Sequence, residues 1–134
     1  MGIFDWLKKE NEKELVALDG PGEYWFDIVG ESNYQRALGR IAGGKKEDGC
    51  EVEVEAFLEC EDTNPHDNQA VVVKIDGSVV GYLDRKNARA YREMLAGVGY
   101  AGHPAVCAAI IVGGWDRGGG DEGHFGVKLD MPST

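Results

Sequence analysis

The chain has 134 residues, with 14 Lys and Arg against 24 Asp and Glu, a formal net charge of −10, and 43% hydrophobic residues. A chain of this length buries roughly two-thirds of its unfolded surface around one core, so it needs neither a disulfide framework nor a structural metal, and its apolar content excludes a mainly disordered protein. The acidic total excludes indiscriminate binding to nucleic acid or anionic membrane, although screening beyond about 8 Å leaves room for a local basic patch.

Charge is unevenly spread: residues 1–70 carry 7 basic and 17 acidic side chains, and residues 71–134 carry 7 of each. Ile3, Phe4 and Leu7 share one helical face with Trp6 beside them, which predicts a short amphipathic helix over Ile3–Lys9 that docks on the domain, on a partner protein or on a membrane surface. Residues 1–23 form this segment and a polar connector, Asn11–Glu23, with a turn at Asp19-Gly20-Pro21-Gly22. Tyr24–Val29 is aromatic and branched enough for a strand ending at Gly30. Ser32 and Gln35 have capping-box spacing, and Tyr34, Ala37, Leu38 and Ile41 then follow a helical period up to Gly43-Gly44. In Glu51–Glu59, Val52, Val54, Ala56 and Leu58 alternate with glutamates and Phe57, a strand with one buried face and one carboxylate face.

Ala70–Ile75 and Val79–Leu83 flank Asp76-Gly77-Ser78 and predict a hairpin. Asp84 caps a helix over Arg85–Ala96, with Ala88, Tyr91, Leu95 and Val98 facing inward. Ala105–Val112 and His124–Asp130 supply the last two strands, separated by the glycine-rich loop Gly113–Gly123. The order β-α-β-β-β-α-β-β predicts a mainly β fold with two helices, a small six-stranded partly open barrel of oligonucleotide-binding (OB) type over residues 24–131, with a tail at 132–134.

No membrane span is expected, because the uncharged stretch Ala96–Trp115 is interrupted by five glycines, His103 and Pro104. Cys50, Cys60 and Cys107 are odd in number and lack C-x-x-C spacing, which fits reduced thiols and a cytoplasmic location. Gly97–Gly102 matches G-x-G-x-x-G, but in the order helix then strand, the reverse of a dinucleotide site. Gly43-Gly44-Lys45-Lys46 lacks P-loop spacing, and no G-x-S-x-G occurs. His66, His103 and His124 stand apart, while Asp116, Asp121 and Glu122 crowd one loop, either as a solvated hairpin tip or as the metal site of a hydrolase. No cofactor is expected.

Two features carry chemistry. Asn64-Pro65-His66-Asp67-Asn68-Gln69 joins two strands as a turn stiffened by proline and by side chains able to bond nearby amides, whether structural or part of a site. Arg85, Arg89 and Arg92 recur at i, i+4 and i+7 with Lys86 beside them, either as a solvated basic face or as a phosphate-binding one.

The run Leu58–Ala70 with its Asn64-Pro65-His66-Asp67 turn, then Val71–Ile75, then Val80-Gly81-Tyr82-Leu83 and a helix containing Ala88, resembles the HIRAN domain. Val29–Gln35 is similar to the opening of free-standing prokaryotic versions, and a looser similarity covers Tyr24–Met131. The resemblance implies an OB-like barrel that grips the 3′-hydroxyl end of single-stranded DNA without catalysis, as in members attached to translocases that remodel stalled replication forks in DNA repair. By position, Asp67 would accept the terminal hydroxyl, Asn64 would help hold that nucleotide, and His66 would stand as a stacking wall. Tyr82 and Arg85 would contact base or backbone near the end, Arg89 would add to the basic face, and Phe125 would stack on the next base. The chain departs from DNA-binding members at Phe26-Asp27-Ile28, where they carry Arg-aromatic-aromatic. The alternative is a protein-interaction module in which the turn is structural and Ile3–Lys9 binds a partner.

Overall fold

The computed structural model describes residues 13–133, so the helix expected over Ile3–Lys9 lies outside the described residues. The strands are β1 (Val16–Leu18), β2 (Phe26–Asp27), β3 (Cys50–Glu61), β4 (Ala70–Ile75), β5 (Ser78–Tyr82), β6 (Ala105–Gly113) and β7 (Phe125–Leu129). Two α-helices accompany them among the described residues, α1 (Gln35–Ala42) and α2 (Arg85–Gly97). Six strands run in the order β2-β7-β6-β3-β4-β5, every neighbouring pair antiparallel, and form the curled sheet of a small OB-like half-barrel.

Strand β3 is the spine. Its alternation is the expected one, with Glu51, Glu53 and Glu55 exposed and Ala56 and Leu58 buried. Cys50–Leu58 pairs with β6 and Ala56–Glu61 with β4, so only its central residues are flanked on both sides as the strand crosses the barrel. The hairpin of β4 and β5 turns at Asp76-Gly77 and carries a bulge at Val73/Lys74, which sharpens the local twist.

The seam closes where the chain leaving β2 reaches β5. Val29 N–H donates to the Tyr82 carbonyl at 2.8 Å, and Tyr82 N–H donates back at 2.9 Å. Gly81 permits this approach, since a Cβ there would lie 2.7 Å from the Val29 carbonyl oxygen and 2.8 Å from Ile28 Cδ1. One stretch of chain thus borders β7 on one side and β5 on the other. The first strand is accordingly shorter than the expected Tyr24–Val29, because Tyr24 has a left-handed φ of 47° and ordered pairing starts only at Phe26.

The connector expected over Asn11–Glu23 contains β1, which pairs parallel to β6 from Val16↔Ala105 to Leu18↔Cys107. Strand β7 covers β6 only from Ala109 to Gly113, and β1 satisfies the edge that β7 leaves open. The barrel therefore takes in residues upstream of the expected boundary at Tyr24. The three residues of β1 are too few to display a period, so the sequence hides this strand.

The capping box is also replaced. Ser32 sits in a 3-10 turn, Glu31–Asn33, and α1 starts after Tyr34 with no side-chain cap. The Gln35 amide instead accepts from Phe125 N–H at 2.8 Å and donates to the Phe125 carbonyl at 2.9 Å, tying α1 to β7. The cap expected on α2 is present: Asp84 Oδ1 accepts from Asn87 N–H at 2.7 Å. Ala88, Tyr91 and Leu95 are buried as expected, whereas Val98 lies past the last turn and is 61% exposed. Leu38 from α1 and Leu95 from α2 meet Leu58, Ile111 and Leu129 in the core. Full burial of each such side chain contributes roughly 1.5–3 kcal/mol.

Candidate functional site

The site grows out of the turn between β3 and β4. Asn64 Oδ1 accepts from His66 N–H at 2.8 Å and from Asp67 N–H at 3.2 Å, its amide donates to Glu61 Oε1 at 2.9 Å, and Asp67 Oδ1 accepts from Gln69 N–H at 3.0 Å. These bonds are the local closure that Asn and Asp provide in turns. They rigidify the segment but do not orient it on the barrel.

Orientation comes from α2. Arg89 grips Asp67 with a two-pronged bond, Nη1 to Oδ2 at 3.1 Å and Nη2 to Oδ1 at 3.0 Å. Arg85 donates to the His66 carbonyl at 3.1 Å and holds its Nε 3.8 Å from Asp67 Oδ2. Arg92 donates to the carbonyls of Gln69 at 2.7 Å and Ala70 at 3.0 Å and to Asp62 Oδ1 at 2.8 Å. The basic face is therefore neither free solvent-facing charge nor an open phosphate surface; it clamps the turn. Arg92 keeps 18% of its side chain exposed, Arg89 45% and Arg85 74%, so Arg85 is the member of this face left largely open.

Between the clamped turn and the barrel seam lies a groove of about 480 Å³. Asn64, His66, Asp67, Tyr82 and Arg85 all line it, joined by Val29 and Tyr34. Arg89 stands behind Asp67 and does not line it. Phe125 is elsewhere: it is 3% exposed, in the core, and its ring lies over Gly114, so no face is left for a base. The expectation that Phe125 stacks on a ligand is corrected on that ground. A period-two strand offers alternate residues to opposite faces, and Phe125 falls on the buried one with Val127 and Leu129. A larger hollow of about 580 Å³ beside Cys60–Pro65 is walled by one continuous segment and gathers no distant residues.

The Arg89 guanidinium, followed by the Gln69 amide, holds the Asp67 carboxyl below its ordinary range, which keeps it ionised at neutral pH. Partial burial, then a hydrogen bond with Glu61, pushes the Tyr82 phenol up to about 12, so it stays neutral. The neighbouring Tyr34 hydroxyl pushes it the same way, to a smaller extent. Burial raises all three thiols, Cys107 to about 12, leaving them protonated and weak as nucleophiles or ligands. Among the described residues no group of three or more His, Cys, Asp and Glu side chains could hold a metal ion. Asp121 and Glu122 are engaged within and beside their loop, by Trp115 Nε1 at 3.1 Å and Lys45 Nζ at 3.0 Å.

Sequence reasoning did not single out Val29 or Tyr34 for the groove, nor Glu61 and Arg92 as its supports. The i+7 spacing of Arg92 from Arg85 was the one available signal, and it gave a shared face without naming what that face meets. No helix among the described residues is long and apolar enough to cross a membrane. Comparison of the chain with models of protein families, with curated proteins and with solved structures returns no match.

Proposed function

We propose that the groove is a non-enzymatic receptor for the 3′-hydroxyl end of a single DNA strand. The reading is carried by the convergence of Asn64, His66, Asp67, Tyr82 and Arg85 on one cleft, residues that the resemblance to the HIRAN domain had marked on sequence grounds alone. An ionised carboxylate accepts a bond from a terminal alcohol and repels a phosphate, and Asp67 retains lone pairs beyond those used by Arg89 and Gln69. His66, Tyr34 and Tyr82 offer ring surface to bases, worth roughly 1–3 kcal/mol per stacked base without reading sequence. Arg85 and the exposed Lys86 are placed for a neighbouring phosphate.

Most of the basic face is spent on the clamp, so the electrostatic share of binding is small. One or two neutralised phosphates give a slope of log affinity against log salt of roughly −0.7 to −1.4 for a single strand. Asp27, the acid standing where DNA-binding relatives of this type carry an aromatic, is paired with Lys128 at 2.7 Å and does not line the groove.

The test compares a labelled oligonucleotide with a free 3′-hydroxyl against its 3′-phosphorylated copy at two ionic strengths. The hydroxyl form is expected to bind better, Arg85→Glu to weaken both, and Asp67→Asn to erase the difference. Equal binding of the two oligonucleotides by the unaltered protein would overturn the reading.

A further inference from the structure

Strand β3 is longer than the hairpin beside it. Strand β4 pairs with Ala56–Glu61 and turns away at Asp76-Gly77, while β6 runs along Cys50–Leu58 on the other side. Residues Cys50–Glu55 therefore have one flank paired and, among the described residues, no backbone hydrogen bond on the other. In an antiparallel ladder each residue sends its N–H and C=O to the same side, and successive residues alternate. Half of the residues in Cys50–Glu55 thus point unpaired donors and acceptors outward along about 20 Å of edge, a template for one more strand.

The side chains along this edge define what that strand must carry. Glu51, Glu53 and Glu55 are exposed on the outer face, and among the described residues none of them is in an ion pair. Val52 and Val54 lie on the inner face, half-buried against the core. Where β4 does cover β3 it supplies the complement: Lys74 Nζ stands 3.0 Å from Glu59 Oε1, and its neighbours Val73 and Ile75 are buried. Where β4 turns away, Ile41, Val54, Phe57 and Ile75, with Glu55 and Asp76, line a hollow of about 380 Å³ beside the open edge. It has room for an apolar side chain of an added strand. A second copy is a poor occupant, because two-fold edge pairing would set one glutamate ladder against another. The same ladder, on a chain of net charge −10, repels nucleic acid.

We propose that the open edge of β3 receives an extended segment of a partner protein, about six residues in which lysine or arginine alternates with an apolar residue. The added strand repeats what β4 does further along: its cations lie beside Glu51, Glu53 and Glu55, and its apolar side chains face Val52, Val54 and the hollow. Main-chain bonds to the open positions supply affinity, and the alternating side chains supply specificity. The inference does not rest on DNA binding, since the Asp67 cleft adjoins the other end of β3, beyond Glu61.

The experiment titrates the full ¹⁵N-labelled chain with a short capped peptide in which lysine and valine alternate, and follows amide hydrogen exchange across Cys50–Glu55. A block peptide of the same composition, all lysines and then all valines, carries the same charge without the alternation. In the free chain the outward amides are expected to exchange fast; the alternating peptide is expected to slow them about tenfold and to bind several-fold more tightly than the block peptide. A Glu51→Lys, Glu53→Lys double variant, at exposed positions, is expected to weaken binding about tenfold while amides elsewhere in the barrel keep their protection. Absent binding, equal binding of the two peptides, or binding that leaves the outward amides unprotected overturns the proposal. Protection already present before peptide is added overturns it as well: if lost on dilution it assigns the edge to a second copy, and if kept, to the chain itself.

Discussion

Two polar connectors of this barrel, Asp62–Gln69 and Gly114–His124, look alike in sequence and are held by different means. The first is bonded to a helix that lies 16 or more residues further along, through Arg85, Arg89 and Arg92. The second is bonded mostly to itself: Asp116 Oδ1 accepts from Gly118 N–H at 2.9 Å, Arg117 N–H donates to the Asp121 carbonyl at 2.9 Å, and the Arg117 guanidinium lies 5.5 Å from the Trp115 ring centre. Its ties elsewhere are few, chiefly Lys45 to Glu122 and the bridge of Lys46 with Trp115. A connector held from a distance has a fixed position relative to the barrel, which a recognition surface requires. A connector satisfied by itself has a fixed shape only.

The two modes of support break differently. The largest loss is expected at the root of the glycine-rich loop, where Gly114 has a φ of +66° and a Cβ would run into the Phe125 ring. Gly114→Ala combines over-packing with a disfavoured backbone, about 2–5 kcal/mol together, read from the urea midpoint. Next comes Arg92→Ala, which strips donors from three turn carbonyls and Asp62 at a largely shielded position. Its expected cost is about 1–3 kcal/mol, with the faster amide exchange confined to the turn.

Acid gives a smaller and more selective test. Asp67 titrates below its unfolded value, so the Asp67–Arg89 contribution is complete above the ordinary carboxylate range and is lost as pH falls through the lowered value. The Asp67 carboxyl carbon is therefore expected to titrate with a midpoint below that of an ordinary aspartate. A midpoint at or above the ordinary value would mean that the clamp is not formed in solution. The smallest effect belongs to Arg117→Ala, since both Arg117 and Asp121 are about half exposed, at 48% and 58%. A loss under about 0.5 kcal/mol is expected, and a larger one would place the loop tip in the same class as the turn.

Much of the architecture was readable because it follows from neighbours. The alternation through Val52, Val54, Ala56 and Leu58 set the long strand, and Asp76-Gly77 set the hairpin. Asp84 set the start of the second helix. The site was readable in part, since the Asn64–Gln69 turn and Arg85 do share a groove with Tyr82. Phe125 was misjudged because a residue at the mouth of a strand shows its face only once the sheet it joins has a curvature. Asp130 was unremarkable in sequence, yet it is a buried acid that accepts from Gly22 N–H at 2.9 and 3.0 Å and pins the chain entering β2.

By itself the sequence determined most of the segments that extend, coil and turn, Val16–Leu18 excepted, and that a short turn would be followed by a cationic helix face. Those outcomes rest on interactions two to four residues apart, which composition and period record directly. Only the tertiary structure decided that Arg89 and Arg92 would be taken up by the turn, that Val16–Leu18 would complete an edge of β6, and that Cys50–Glu55 would keep an open edge among the described residues. The partner of a charge, or the cover of a strand edge, is fixed by where distant segments are packed, and no local spacing encodes that distance.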